Sequence, residues 1–453
     1  MSDLSQATAA RSIELPPIFD NSDLVRSVPR ECEVWPLASE HSGPGSFAAL
    51  REIENVLSHT YAVGPWQWPD RPIVFLSDTH ADYMGFLRSL AAAGVVRRVG
   101  SGPTDFRLTS FGVNTRIIVG GDCLDKGPSN LDMLDSLAAL MRSGADVTLL
   151  AGNHDLRMRL IALSLAQEKT PLTAHLFARM GRKVFPLLHE IWIRFVGHGG
   201  MDLGKLTDEE CRQRLLPDED WFVQFPVAAK GLLSDAAIRK EMLKLRKKLS
   251  TIETDLAEAE LNFRTAYAAA SHCQHLFFRS NGAYSWFFEK MDAVARAGSL
   301  LFVHAGIDDE MCDLLSKGGL TAVNRRFRDG AHLHPLAFYF GSAANLTRTK
   351  YRTTDKQLTA SGAQMLHDLG VKMIVQGHVN NSSGQRLLVK KGVLHLEGDI
   401  TLDRTSRKRQ GLQGAGAGAT LIFPSGDVIG LSADYPKAKH FNPDHALKGT
   451  QIL

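Results

Sequence analysis

Short apolar runs that end in polar residues recur along the chain. Five of them, each long enough for a buried strand, cover residues 73–76, 116–119, 147–150, 300–303 and 373–375. Helical spacing of apolar residues follows the first two, over residues 83–93 and 131–141. A repeated order of strand, polar loop and helix is typical of α/β sheets. We therefore expect the polar loops to meet at the carboxyl ends of the strands, where such sheets build their sites.

The flanking regions lack this order. Residues 1–70 are rich in proline, which predicts an irregular arm on the surface with a short helix at residues 46–58. Beyond the last motif, we expect a second sheet to be completed by residues 392–399, 416–423 and 427–431, the last two joined by a Pro-Ser-Gly hairpin turn. Residues 404–413 read as a mobile loop and residues 436–453 as a tail.

Residues 200–298 form an insertion in which the spacing of apolar residues is different. After Ser234, a predicted N-cap, apolar residues alternate in steps of four and three, and their positions are Ile238, Met242, Leu245, Leu249, Ile252, Leu256, Ala259, Phe263 and Ala266. This seam predicts one helix over residues 234–267. It could pack as a hairpin against a second helix at residues 286–297, bind a partner, form a homodimer, or cap an active site.

Composition restricts the class of protein. The 52 Lys and Arg residues against 49 Asp and Glu leave a net charge of +3, which does not favour nucleic acid or a membrane surface as partner. The 5 cysteines are scattered without a CxxC spacing, which indicates reduced thiols. The N-terminus has no secretory pattern and we find no apolar run of about 18 residues, so a cytoplasmic protein is expected.

The polar clusters at the strand ends carry the candidate chemistry. They are Asp78-Thr79-His80, Gly121-Asp122 continuing to Asp125-Lys126-Gly127, Gly152-Asn153-His154-Asp155, His304-Ala305-Gly306 and Gly377-His378. Each alone could be an ordinary polar turn. Together they supply oxygen and imidazole donors, which suit first-row divalent ions, and a pair of such ions suits hydrolysis of a phosphate ester.

In this order the motifs resemble those of the calcineurin-like metallophosphoesterases, which include phosphoprotein phosphatases and diadenosine tetraphosphate hydrolases. The resemblance spans about residues 72–432, outside the insertion. It implies an α/β fold, a four-layer α/β/β/α sandwich with two central mixed sheets, and a catalytic domain over residues 71–435.

The resemblance also implies a role for each motif residue. Asp78, His80 and Asp122 would bind one divalent metal ion, and Asp122 would bridge to a second ion held by Asn153, His304 and His378. His154, oriented by Asp125, would be the general acid. We expect Mn²⁺ at both positions, with Fe, Zn or Co as alternatives.

Departures from the family pattern leave two substrate classes open. Lys126 stands where protein phosphatases have arginine, and Asp155 replaces the glutamate of GNHE; both changes lean toward the diadenosine tetraphosphate hydrolases. Asp125, in contrast, is typical of the protein phosphatases. Lys126, Arg348 and Arg352 are the candidates for binding substrate phosphate. Arg157 and Arg159 read as helix-surface residues, with contact to a second phosphate of the substrate as the alternative.

The histidine of the fourth motif is ambiguous. His198 lies in a literal HGG, but Arg194 precedes it, whereas His304 follows the uniformly apolar residues 299–303, as a buried strand requires. We therefore assign the ligand to His304.

The leading hypothesis is a dimetal phosphoesterase that hydrolyses phosphate monoesters, as a Ser/Thr phosphatase does, by attack of a metal-bridging hydroxide. Hydrolysis of diadenosine polyphosphates or other nucleotide pyrophosphates is the alternative. A hypothesis of another class is a non-catalytic scaffold that binds partners through the heptad helix.

Overall fold

The computed structural model describes residues 15–17, 27–36, 46–166, 168–197, 206–444 and 446. The strands are β1 (Cys32–Val34), β2 (Ile73–Leu76), β3 (Val96–Arg98), β4 (Phe106–Leu108), β5 (Arg116–Val119), β6 (Asp146–Leu150), β7 (Met291–Asp292), β8 (Val294–Ala297), β9 (Leu300–Val303), β10 (Met373–Gln376), β11 (Arg386–Lys390), β12 (Val393–Glu397), β13 (Thr420–Ile422), β14 (Val428–Gly430) and β15 (Ala438–Phe441).

The α-helices are α1 (Ser46–Val63), α2 (Tyr83–Ala92), α3 (Ser110–Val113), α4 (Asn130–Arg142), α5 (Asn153–Ala166), α6 (Leu176–Met180), α7 (Phe185–Ile191), α8 (Asp208–Leu215), α9 (Trp221–Ala229), α10 (Asp235–Leu249), α11 (Ile252–Glu258), α12 (Phe263–Phe278), α13 (Ser285–Glu289), α14 (Asp309–Leu333), α15 (Pro335–Phe340), α16 (Ser342–Asn345), α17 (Ala360–Asp368) and α18 (Arg404–Arg409). A 3₁₀ turn at Gly181–Lys183 and a π-helical turn at Trp192–Val196 flank α7.

Two mixed sheets pack face to face in the centre of the fold. The larger has the order β1-β15-β14-β13-β2-β5-β6-β7 and the smaller β11-β12-β10-β9-β8. Phe75 and Ile118 of the larger sheet share one apolar core with Phe302 and Val375 of the smaller, and the rings of Phe75 and Phe302 are 6.0 Å apart. Helices cover the sheets, so the predicted α/β/β/α architecture is confirmed.

The five predicted strands divide between the two sheets. β2, β5 and β6 are parallel neighbours in the larger sheet, and β9 and β10 are parallel neighbours in the smaller. Each of these strands carries apolar residues on both of its faces, because both faces of a parallel sheet are covered.

The prediction for the two ends of the chain was wrong in three respects. β1, in the supposed irregular arm, pairs with β15 in the supposed tail, and Trp35 of the arm is fully buried. The 424–426 hairpin forms as predicted, but its strands β13 and β14 join the larger sheet beside β2 rather than the second sheet. Residues 404–409 form helix α18 instead of a loop, and Arg404 donates three hydrogen bonds to the buried Asp82, one from its backbone N–H and two from its guanidinium.

The predicted single helix over residues 234–267 is also wrong. It divides into α10, α11 and the start of α12, because the hydroxyl of Ser250 bonds back to the carbonyl of Lys247, Glu260 has a left-handed φ of 55°, and Asn262 caps a new helix. Ser234 does cap α10. Most seam positions are buried within the chain: Ile238, Leu245, Ile252, Leu256, Phe263 and Ala266.

The second helix expected at residues 286–297 is short. After α13, the chain enters β7 and β8, and β8 forms an antiparallel hairpin with β9 through Gly298. Because this segment pairs with a neighbouring strand, it forms a strand although its local pattern predicts a helix. Among the helices in the described ranges, none is long and apolar enough to cross a membrane.

Candidate active site

The motif residues occupy tight turns at the ends of five central strands. A left-handed φ, which costs energy for residues other than glycine, is concentrated there, at Asp78, His80, Ala81, Asp122, Asp125, Lys126 and His378. The surrounding packing holds these conformations. Gly377, for example, lies directly against Ser77 and Asp78, so even a methyl group at position 377 would collide with them.

One carboxylate oxygen forms the centre of the site. Oδ2 of Asp122 lies 3.5 Å from Nε2 of His304, 3.8 Å from Nε2 of His80 and 3.8 Å from Nε2 of His154. The other oxygen of Asp122 accepts a hydrogen bond from the backbone N–H of His154, at 2.7 Å. Asp122 thus faces histidines from both sheets.

Asp78 links the two sheets on the other side. Its Oδ2 accepts hydrogen bonds from the hydroxyl of Ser77 and from the backbone N–H of His378, at 2.5 and 2.8 Å. Its Oδ1 lies 3.7 Å from Nε2 of His80. The rings of His304 and His378 are 5.2 Å apart, so the two histidines that follow strands of the smaller sheet also face each other.

Several donor atoms in the site fit a divalent cation. Nδ1 of His304 lies 2.8 Å from the carbonyl oxygen of Gly120 and that of His80 lies 3.3 Å from the carbonyl oxygen of Leu124. These contacts place a proton on Nδ1 of each ring, so Nε2 is the atom that would bind a metal ion when it is deprotonated. Nε2 of His304, Nε2 of His378 and Oδ1 of Asn153 are buried without a hydrogen-bond partner. A metal ion would satisfy all three, and the donor set suits a first-row ion.

The charges of the site also favour a bound cation. Burial lowers the pKa of His80 and of His378 well below the usual range, so both rings are neutral donors. Burial also disfavours the charged form of His304, but the carboxylates of Asp122 and Asp78 outweigh it and raise its pKa to about 10. Without a bound cation, the ring of His304 therefore carries the positive charge that the two carboxylates favour.

His154 and Asp125 form a hydrogen-bonded pair beside this pocket. Nδ1 of His154 lies 2.5 Å from Oδ2 of Asp125, and the two rings of His80 and His154 meet edge to face at 4.8 Å. Burial raises the pKa of Asp125, but the hydrogen bond and charge of His154, and then the charge of Lys183, dominate and lower it. An ionised Asp125 fixes the His154 ring with Nε2 directed toward Asp122.

The last residue of the GNHD motif holds the loop that carries Asp122. Oδ2 of the buried Asp155 accepts the backbone N–H groups of Asp122 and Gly152, at 2.8 and 3.0 Å. Its Oδ1 accepts those of Cys123 and Leu124, at 2.9 and 3.1 Å. Burial and the charge of Asp122 raise its pKa to about 7. Asp155 therefore acts as a brace between two motifs.

The three predicted phosphate-binding cations lie in different places. Nζ of Lys126 is 2.6 Å from Nε2 of His80, within the site. The guanidinium of Arg348 stacks on the ring of Tyr339, 4.5 Å from its centroid. Arg352 is placed by a backbone hydrogen bond to Asp355, at 3.0 Å. Among the contacts of the described residues, neither arginine touches a candidate metal ligand.

Two other cations, Arg157 and Lys183, approach the site instead. NH1 of Arg157 lies 3.0 Å from Nδ1 of His154, and Nζ of Lys183 lies 3.4 Å from Oδ2 of Asp125. The sequence reading gave Arg157 contact with a substrate phosphate as its alternative, but no local pattern indicates Lys183. Arg159, also read as a surface residue, is 8% exposed, so that reading was wrong.

The sequence offers two histidines, His304 and His198, as the candidate ligand of the fourth motif. His304 lies in the site, at the end of β9, and is fully buried. His198 lies outside the described residues.

Comparison with known proteins agrees with this geometry. Residues 71–248 match the model of the calcineurin-like phosphoesterase family. The predicted resemblance to this family is confirmed over these residues. No curated protein sequence matches the chain significantly.

Distantly similar structures are phosphatases. A mutant of a cold-active protein tyrosine phosphatase is 14% identical with a TM-score of 0.42, and covers 84% of each chain. The cold-active enzyme of a psychrophilic Shewanella species is 14% identical with a TM-score of 0.40, and covers 83% of this chain and 82% of its own. A protein serine/threonine phosphatase from Saccharomyces cerevisiae is 11% identical with a TM-score of 0.34, and covers 83% of each chain. Similarities at this level carry no conclusion about substrate.

Proposed function

We propose that this protein hydrolyses phosphate monoesters with two divalent metal ions. Mn²⁺ is the metal we expect, with Fe, Zn or Co as alternatives. The observation that carries the proposal is the set of donors around Asp122, in particular the buried Nε2 atoms of His304 and His378 that have no hydrogen-bond partner. A buried polar atom without a hydrogen-bond partner destabilises the fold unless a bound ligand interacts with it.

Each residue has a role in this proposal. Asp78, His80 and Asp122 would hold one ion, and Asp122, Asn153, His304 and His378 the other. When bound, divalent ions polarise phosphoryl oxygens and lower the pKa of water. His154 donates its Nε2 proton to the leaving oxygen, while Asp125 accepts from Nδ1 and keeps the ring in place.

The test uses purified protein that is stripped of metal and reloaded with Mn²⁺, with 4-nitrophenyl phosphate and phenyl phosphate as substrates. Asp122→Asn should abolish metal-dependent activity. His154→Ala should lower kcat by about 10²–10⁴-fold on phenyl phosphate, and less on 4-nitrophenyl phosphate, because a better leaving group needs less protonation. Asp313→Asn, which removes an exposed carboxylate paired with Lys317, is the matched control.

Two results would contradict the proposal. One is a wild-type protein that is inactive with every one of the four metals; this result would favour the scaffold hypothesis. The other is an Asp122→Asn variant that is as active as the wild type.

A further inference from the structure

The helical insertion concentrates exposed apolar side chains. Of the eleven large apolar side chains that are exposed among the described residues, four lie between residues 223 and 243. They are Val223 and Val227 of α9, Leu232 in the connection to α10, and Leu243 of α10, which are 74, 75, 50 and 65% exposed. Single exposed apolar residues are ordinary, whereas a group of them indicates a surface that another molecule covers.

These residues lie on the outer surface of one helical hairpin. The guanidinium carbon of Arg246 lies 5.0 Å from the centroid of the Phe222 ring. The start of α9 is therefore beside the end of α10, and the two helices are adjacent and antiparallel. The inner surface of the hairpin is packed within the chain through Trp221, Phe225 and Leu245, which are at most 1% exposed. The outer surface thus belongs to a firmly held element.

Cations surround the apolar residues of this hairpin. Residues three and four positions apart are neighbours on a helix surface. All four such neighbours of Leu243 are exposed cations, namely Arg239, Lys240, Arg246 and Lys247. We call these four cations, together with the four apolar residues above, the hairpin face.

The charge of α10 is not balanced within the helix. It carries six cations and two acids, and one of the acids, Glu241, is buried and paired with Arg179. Asp235 is then the one acid of α10 that remains against the six cations. The net charge of +3, from which the sequence reading did not favour a membrane surface, is an average over the whole chain and does not record this local excess.

The shape of the hairpin face favours a lipid surface over a protein groove as its partner. Because Val223 and Val227 are so highly exposed, they project from the surface rather than line a cleft. A fluid bilayer accepts projecting aliphatic side chains, whereas a protein partner needs a cavity of matching shape. Lysine and arginine around them are attracted to anionic headgroups, and their long stems lie along the apolar boundary.

We infer that the hairpin face binds the surface of a bilayer that contains anionic lipids. Its aliphatic side chains enter the boundary between headgroups and acyl chains, and its cations contact the lipid phosphates and carboxylates. Such peripheral binding needs no helix that crosses the membrane. The inference does not depend on the proposed function, because none of the candidate metal ligands lies on this hairpin.

Vesicle flotation with the purified full-length protein is the first test. Vesicles of phosphatidylcholine with phosphatidylserine are compared with vesicles of phosphatidylcholine alone. The protein should float with the first and not with the second, and binding should weaken in about 1 M salt, where the Debye length is only about 3 Å. Binding to neither kind of vesicle, or equal binding to both, would overturn the inference.

Two triple variants separate charge from apolar contact. The first removes three cations of the hairpin face and combines Arg239→Gln, Lys240→Gln and Lys247→Gln. The second removes three of its apolar side chains and combines Val223→Ser, Val227→Ser and Leu243→Ser. The first should lower the vesicle partition coefficient by about 10²-fold, and the second by about 10-fold or more.

Matched controls make the same changes on other exposed parts of the chain. The charge control combines Arg97→Gln, Lys290→Gln and Lys356→Gln. The apolar control combines Val99→Ser, Val113→Ser and Leu333→Ser, at side chains that are 55–63% exposed. Neither control should change the partition coefficient by more than about 2-fold. A control that loses as much binding as its counterpart would show that the hairpin face is not the binding surface.

Other occupants of the hairpin face give different results. Sedimentation equilibrium without lipid tests for a second copy of the chain, and a dimer that the apolar variant dissociates would overturn the inference. An apolar variant that binds vesicles as tightly as the wild type would mean that charge alone acts, as it does toward duplex DNA or an acidic protein, and would also overturn it. Circular dichroism and activity on 4-nitrophenyl phosphate should be unchanged in every variant, since all the substitutions are exposed and outside the active site.

Discussion

Replacing Asp155 by asparagine should destabilise the protein strongly, although the two side chains have nearly the same size. The carboxylate of Asp155 accepts four backbone N–H groups, two on each oxygen. An asparagine keeps one oxygen and places an NH₂ group against the other two donors in either orientation of its amide. Each buried N–H group that loses its acceptor costs about 1–3 kcal/mol, so the free energy of unfolding should fall by about 2–6 kcal/mol.

The assay is urea unfolding at about pH 8.5, where a carboxyl group with a pKa of about 7 is ionised in the wild type. Asp313→Asn, which loses one exposed ion pair, should cost about 0–1 kcal/mol and serves as control. Because two of the four N–H groups belong to Asp122 and its neighbour Cys123, Asp155→Asn should also weaken Mn²⁺ binding. A loss of stability no larger than in the control would show that Asp155 does not brace this loop.

Three further predictions concern pH, metal and packing. Burial, and then the charge of Arg179, lower the pKa of His175 from 6.5 to about 3. The ring is therefore neutral in the fold, and His175 should contribute about 1.4 kcal/mol per pH unit to the fall in the free energy of unfolding from pH 6.5 toward 3; His175→Phe should reduce the slope by about this amount in urea titrations. Mn²⁺ added to metal-stripped protein should raise Tm in wild type but much less in Asp122→Asn, as differential scanning fluorimetry would detect. Gly377→Ala should weaken Mn²⁺ binding by about tenfold or more in calorimetry, because its methyl group collides with Ser77 and Asp78; unchanged affinity would mean that this turn can relax.

Much of the central fold could be predicted from the sequence because its strands are buried on both faces. Ile73–Leu76 and Leu300–Val303 are continuous apolar runs that the structure confirms as strands. Edge elements gave weaker signals. β1 has three residues, of which none is fully buried, and it exists because β15 pairs with it rather than because of its own composition.

The heptad seam shows a different limit. Its apolar period correctly indicates the positions that are buried, such as Leu245 and Leu256. The period does not reveal that Ser250 and Glu260 break the helix, because a helix ends through local competition of side chains and backbone that an apolar pattern does not record. A prediction of which residues are buried was therefore more successful than one of element boundaries.

The sequence by itself determined which residue types follow each central strand, and hence the family resemblance and the candidate ligands. Only the tertiary structure decided that candidate ligands from two different sheets meet at Asp122, and that Lys183, on a distant 3₁₀ turn, stands 3.4 Å from Asp125. The physical reason is that a motif is local, since it depends on a tight turn and a few adjacent residues. Contacts between side chains that are far apart in sequence depend instead on how whole layers pack, which no short pattern encodes.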